Sequence, residues 1–322
     1  MKAIEVQEGR LVWTDVADVE MGPEEVLVDV RATAVNRADL MQAAGQYPPP
    51  PGASPILGLE MAGVIEALGE AVQGWQIGDR VCALLPGGGY AEKTAVPYQM
   101  LVKLPDDWSF AQGAAFPEVW YTAYLNLFHE GELKAGEIAL IHAGGSGVGT
   151  AAVQLAVMAG AQAFVTAGTE AKLQRCRDLG ATLAVNYKEQ DFLDEVRKAT
   201  NGRGVNLILD PVGANYFMKN LKALGQNGRF VSIGLLSGAK TEVNLALLLI
   251  KRLRLIGSTL RSRPLAEKIA MRNGFEQRFW PLFQSGQLQT VIDTTFPLEN
   301  AQAAHEYVAQ DRNIGKVILV RD

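Results

Sequence analysis

The sequence predicts an α/β protein in which a doubly wound parallel sheet is joined to a β-rich domain. From about Ala135 to Arg261, β-branched runs alternate with amphipathic stretches, the texture of parallel strands linked by crossover helices. From Met1 to about Tyr121, short strand-like runs such as VLVDVRATAV, DRVCALL and MLVKLP are separated by turn formers. A chain of 322 residues also exceeds what a single hydrophobic core usually holds, which favours two domains.

Six segments read as the strands of the parallel sheet: EIALIHA, QAFVTAG, LAVNYK, VNLILDPVG, GRFVSIGLL and LRLIGSTL. Beyond them the pattern predicts helices around Leu265 to Gln284 and Leu298 to Gln310 and a last strand, GKVILV, returning to pack on the first domain. The expected division is therefore 1–121, 122–261 and 262–322, the last segment completing the first. The Pro-rich YPPPPGASP is expected to form a stiff loop framing a cleft.

Composition narrows the function. With 48% apolar and 20% charged residues the chain can build a sizeable core, and a net charge of -5 without any Lys/Arg run argues against nucleic acid. The first residues scatter charges, and the longest aliphatic run, LALLLI, is too short to span a bilayer; a cytoplasmic protein is expected. Cys82 and Cys176 stand far apart, and His129, His142 and His305 show no paired spacing, so neither disulfides nor a metal site is expected.

The stretch HAGGSGVGTAAVQLA carries the strongest chemical signal. It follows a strand and opens a helix whose apolar positions Val148, Ala151, Ala152, Leu155, Ala156 and Ala159 share one face. Gly144, Ser146 and Gly149 occupy the GxGxxG positions, with serine in the middle place. Together with Gly145, Gly147 and Val148 they form a turn whose bare backbone lets a pyrophosphate approach the amides at the helix N-terminus. The alternative is tight strand-to-helix packing. Ser146 reads both as a contact to a cofactor phosphate or carboxamide and as the helix cap.

The second strand then bears on which dinucleotide is bound. An acid at its tip would bind the ribose hydroxyls of NAD, but this strand ends Thr166, Ala167, Gly168, Thr169. Lys172 follows in the next helix and Tyr187 closes the third strand, a pairing suited to a 2′-phosphate and hence to NADPH. Glu170 weakens that positive field, and Lys172 could instead be a solvated helix residue. The fourth and fifth strands end in Asp210 to Gly213 and in Ile233, Gly234 and Leu235, which places Gly234 and Leu235 along the cofactor groove; Asp210 reads as a turn cap rather than a catalytic acid.

NRADLMQAAGQYPPPPGASPILGLEMAG, ALLPGGGYAE, IHAGGSGVGTAAVQLA, VNLILDPVGANY, RSR and NIGKVIL together resemble the zinc-independent medium-chain dehydrogenase/reductase family, in particular its quinone oxidoreductases. The resemblance implies a GroES-like catalytic domain built from both chain ends, an inserted Rossmann domain, NADPH as hydride donor and a homodimer in which the edge strand LRLIGSTL pairs between subunits. It also implies cofactor contacts from Thr122, Leu260, Arg261 and Asn313, although Arg261 and Arg263 read equally well as solvated charges. Where the zinc branch has the histidine of a GHE motif this chain reads Gly58, Leu59, Glu60, and where that branch has a ligand cysteine it has Asn36; a third ligand near Pro117 is missing too. Without a Lewis acid, a quinone is the expected acceptor, since it needs positioning and oxyanion support above all. Tyr47 and Asn36 are the candidate donors, Tyr47 also reading as a loop aromatic that closes over the cofactor. The alternatives are reduction of an enone or enoyl thioester, and a crystallin-like NADPH-binding protein without turnover.

Overall fold

In the computed structural model, which describes residues 1–321, the chain separates into two compact units, Thr122–Leu260 and the combination of Met1–Tyr121 with Arg261–Asp322. Arg261 therefore belongs with the first unit rather than with the parallel sheet.

The unit Thr122–Leu260 is built on six strands: Ile138–Ile141, Gln162–Ala167, Leu183–Asn186, Val205–Asp210, Leu224–Ser232 and Arg254–Gly257. Numbered along the chain they lie in the order 3-2-1-4-5-6, all parallel. That order reverses beside the first strand, and such switch points are where open sheets bind ligands at their carboxyl ends. Leu140, Phe164, Val185, Val196, Ile208 and Phe230 interlock in one core cluster. Each such side chain contributes about 1.5–3 kcal/mol by leaving water.

The helix Gly147–Met158 departs from the expected one-sided pattern. Every residue from Gly149 to Ala156 is buried, Val153 included, whereas Val148 and Ala159 are only half-buried. Its two buried polar residues cause no deficit. Thr150 Oγ1 donates to Gly147 O at 2.9 Å and Gln154 Nε2 to Thr150 O at 3.1 Å.

In the other unit, the seven-stranded sheet runs Ile292–Pro297, Lys316–Val320, Glu25–Val35, Glu60–Leu68, Arg80–Leu84 and Val102–Lys103, with Lys93–Pro97 also pairing Glu25–Val35. The C-terminal strand Lys316–Val320 lies antiparallel to Glu25–Val35, with Val317 opposite Val35. The tail region expected as one helix is a short turn, Leu298–Asn300, followed by Ala301–Ala309. The helix Leu265–Gln284 buries Phe275, Phe279 and Phe283. Phe275 and Phe283 meet Phe116 and Trp120 at ring-centroid distances of 4.6–6.4 Å, mostly edge-to-face. This aromatic cluster ties the returning segment to the first.

Candidate functional site

In the unit Thr122–Leu260, the glycine turn is bare for a separate reason at each position. A Cβ on Gly144 would lie 2.8 Å from Val165 Cβ, and one on Gly149 would lie 2.4 Å from Ala143 O. On Gly145 it would lie 2.9 Å from Cβ and Cγ of Lys172. The turn is thus closed against the second strand and its own backbone, and Gly145 makes room for the lysine stem. Ala143 enters it with φ +53°, a left-handed conformation rare for a residue with a side chain.

Ser146 caps the helix, its Oγ accepting from Gly149 N at 3.0 Å. Its hydroxyl hydrogen remains able to donate to an acceptor. The amides of Gly147 and Val148 stand in the first helical turn, where no carbonyl four residues back lies within the helix. These groups and the helix dipole fit a pyrophosphate.

Lys172 is only 6% exposed, so it is not a solvated helix lysine. It sits at the third position of the helix Glu170–Asp178, whose Thr169 cap accepts from Lys172 N. Glu170 pairs with Arg177, which offsets the negative charge expected to weaken the site. Tyr187 packs over the end of the second strand: a Cβ on Gly168 would lie 2.7 Å from Tyr187 Oη. Lys172 thus packs its stem against Gly145, and Tyr187 its phenol against Gly168.

The turns after the fourth and fifth strands pack together. Gly234 backs onto Pro211, where a Cβ would lie 2.8 Å from Pro211 O, and Leu235 is exposed. Asp210 is a turn cap, accepting from Val212 N and Gly213 N at 2.9 and 3.0 Å; burial raises its carboxyl to about 6. Leu260 is buried. The helix Pro117–Tyr124 begins at a proline, a residue pre-set for a first helical position. Thr122 is buried within it, its carbonyl accepting from Asn126 Nδ2 at 2.7 Å. Beneath the glycine turn, His142 bridges Thr166 Oγ1 at 2.9 Å and Asn220 Oδ1 at 2.7 Å. Burial lowers this imidazole to about 4, so it is neutral. Neither this bridge nor its burial shows in local sequence.

In the other unit, the positions that correspond to the zinc branch's ligands hold a different cluster. Glu60, fully buried, accepts from Asn36 Nδ2 at 2.8 Å and from Lys316 Nζ at 2.7 Å with one oxygen, and from Glu118 N at 2.8 Å with the other. Lys316 Nζ, 3% exposed as a side chain, also donates to Asn36 Oδ1 at 2.6 Å. The remaining contact of Asn36 Nδ2 is Ala34 O at 3.4 Å. The amide of Asn36 is thus engaged at both ends, its oxygen by Lys316 and one N–H by Glu60. The cause is the strand pairing that brings Lys316 alongside Val35. A fixed ammonium among these donors repels a divalent cation, and with Leu59 in the histidine place the residues do not fit zinc. Among the described residues no group of three or more His, Cys, Asp or Glu is placed to hold a metal. The sequence signal for this cluster was a lysine opening an otherwise apolar strand, GKVILV.

Next to it, Asp39 accepts from Asn36 N at 2.8 Å and Gly58 N at 3.1 Å, and burial raises its carboxyl to about 6. Tyr47 is half-buried, with its phenol raised by burial, and the Arg261 guanidinium lies 5.4 Å from its ring centroid. Arg261 is not a solvated charge: it is 6% exposed and donates to Pro86 O and Gln42 Oε1, both at 2.7 Å. Asn313 Nδ2 donates to Gly315 O at 2.7 Å.

Comparison with known proteins agrees with this arrangement. Residues 22–106 match the alcohol dehydrogenase GroES-like domain and residues 147–276 the zinc-binding dehydrogenase domain. The 2-haloacrylate reductase of Burkholderia is 32% identical, over 96% of this chain and 94% of its own. Among solved structures, the quinone oxidoreductase of Pseudomonas syringae superposes with a TM-score of 0.89 at 31% identity, covering 99% of each chain. That of Escherichia coli, complexed with NADPH, superposes with a TM-score of 0.88 at 30% identity, covering all of both. Fold and site together define a medium-chain dehydrogenase/reductase. Within that class the chain belongs to the zinc-independent quinone oxidoreductase family.

Proposed function

We propose that this protein is an NADPH-dependent reductase that passes hydride to a quinone without a metal ion. The observation that carries the reading is the Lys316 ammonium, ion-paired to Glu60 at 2.7 Å in the place where the zinc branch binds its metal. With no Lewis acid to polarise an alcohol or ketone, the favoured acceptor is one whose own conjugation takes up the charge. NADPH, when bound, supplies the hydride. The cradle for it is the turn Gly144–Gly149, with Ser146 as cap and donor and Lys172 and Tyr187 at the 2′-phosphate; Gly168, Gly234, Leu235, Thr122, Leu260 and Asn313 are proposed as further contacts. Similarity to the Escherichia coli enzyme complexed with NADPH supports this. Glu60, itself held by Lys316, fixes the start of the helix Pro117–Tyr124 by accepting from Glu118 N.

A second reading, reduction of an activated alkene, is favoured by the 32% identity to the 2-haloacrylate reductase. Both readings are proposed for a cytoplasmic homodimer, a setting compatible with two buried free thiols. Steady-state oxidation of NADPH across ortho-quinones, para-quinones, enones and simple ketones tests the proposal. Turnover with quinones that withstands strong chelators is expected. Turnover confined to alcohols or ketones, abolished by chelation and restored by zinc, would contradict it.

A further inference from the structure

Within the unit Thr122–Leu260, His142, Thr166 and Asn220 form a buried hydrogen-bonded chain, and none of the three is more than 2% exposed. His142 Nε2 lies 2.7 Å from Asn220 Oδ1, and Nδ1 lies 2.9 Å from Thr166 Oγ1. An amide oxygen can only accept, so Nε2 carries the ring hydrogen. A neutral imidazole then has a lone pair at Nδ1, and the threonine hydroxyl must donate to it. Phe192 and Tyr216 stand edge-on to the ring at centroid distances of 4.8 and 4.9 Å and hold it in this plane. The chain therefore has one direction, from Thr166 through His142 to Asn220.

Its consequence lies in Thr166. The parallel ladder between the strands Ile138–Ile141 and Gln162–Ala167 ends with Ile141 opposite Val165. Beyond that pair the chain enters the glycine turn, and Thr166 is gripped there twice: its carbonyl accepts from Gly144 N at 2.9 Å, and its hydroxyl is fixed by the His142 ring. Threonine is stiff at χ1, so fixing Oγ1 also fixes the backbone that presents the carbonyl. Between the two contacts sits Ala143, left-handed at φ +53°, whose own carbonyl accepts from Ser146 N at 2.9 Å. A left-handed alanine persists only where its surroundings over-determine it. The contacts of residues 142 and 144 with Thr166 supply that constraint, and the direction of the amides at Gly147 and Val148 follows from it.

Resting on the reductase reading above, we infer that His142 is a positioning residue for the dinucleotide: with its hydrogen on Nε2 it locks Thr166, and through Thr166 the glycine turn proposed to receive the pyrophosphate. Both ring nitrogens are occupied, so the imidazole has no polar atom left for a ligand and acts through the turn. The pyrophosphate is common to NADPH and NADH, so the effect of His142 is independent of the 2′-phosphate, unlike that of Lys172.

Two measurements test this. In wild-type protein labelled with nitrogen-15 histidine, at pH 7, the His142 resonances, identified by their loss in His142→Gln, should be those of a ring protonated at Nε2 and bare at Nδ1. In calorimetric titrations Thr166→Val, which removes the hydroxyl and keeps the branched shape, should weaken NADPH and NADH alike by about tenfold. Thr166→Ser keeps the donor, and His142→Gln keeps an acceptor and a donor; both should stay within about twofold of wild type. Adding His142→Leu to Thr166→Val should cost no more than about a further twofold, because both changes remove the same link. A ring hydrogen on Nδ1, or a doubly protonated ring, overturns the inference in the wild-type protein whether or not any variant folds. Thr166→Val binding both nucleotides as wild type does overturns it too, as does a loss confined to NADPH, which would assign Thr166 to the 2′-phosphate. No uptake of either nucleotide by the wild-type protein would instead remove the underlying reductase reading.

Discussion

At the residue scale, the neutral imidazole of His142 under the glycine turn makes stability depend on pH in a defined direction. Its folded-state value of about 4 lies below the ordinary 6.5, so between those values the unfolded chain binds more protons and stability rises with pH. The contribution is complete above about pH 6.5 and is lost as pH falls toward 4. Asp39 and Asp210, raised to about 6, act in the opposite sense over a similar range, so the wild-type melting curve alone does not isolate it. The difference in Tm between wild type and His142→Gln does. That gap should be widest at pH 7 and should shrink as pH falls to 4.5; a gap that stays constant would show that His142 titrates normally in the folded state. Residue roles of this kind were poorly legible in the sequence. Lys172 and Tyr187 could be picked out because they follow strand ends at fixed offsets. The contact of Asn36 with Lys316 could not, because strand pairing joins residues 280 positions apart.

At the scale of elements, the sixth strand and the helix before it stand out. Arg254–Gly257 ends the parallel sheet with a partner on one side only, and the helix Leu245–Lys251 buries none of its residues, Leu249 being 78% exposed. With Leu255 and Ile250 also exposed, this edge is an apolar surface of the sort that monomers cover. It supports the proposed pairing of two copies. Leu249→Asp combined with Leu255→Lys should convert a dimer to a monomer in light scattering after size exclusion, with NADPH binding retained; a variant that stays dimeric would place the subunit contact elsewhere. The six strands were readable because each is a short β-branched run between turn formers. Less readable was the start of the helix at Pro117, since its N-terminal amide is met by Glu60 from a distant strand rather than by a local cap. The burial of the helix Gly147–Met158 on all faces was hidden for a similar reason, since Thr150 and Gln154 look polar until their backbone partners are known.

At the scale of the whole molecule, the two units carry different groups. One holds the glycine turn, with Lys172 packed against Gly145 and Tyr187 against Gly168; the other holds Asn36, Glu60 and Lys316 in a buried polar cluster. The division was visible in the change of sequence texture near Tyr121, and the return of the chain near Arg261 in the resumption of a mixed pattern. The account depends above all on a phosphorylated pyridine nucleotide lying on the glycine turn, with its 2′-phosphate against Lys172. Calorimetric titration of NADPH and NADH into wild-type protein and Lys172→Ala tests this directly. Wild type should bind NADPH about tenfold or more tightly than NADH, and Lys172→Ala should lose about 10- to 100-fold for NADPH and about twofold or less for NADH. Equal losses for the two nucleotides, or no uptake of either by the wild-type protein, would contradict it.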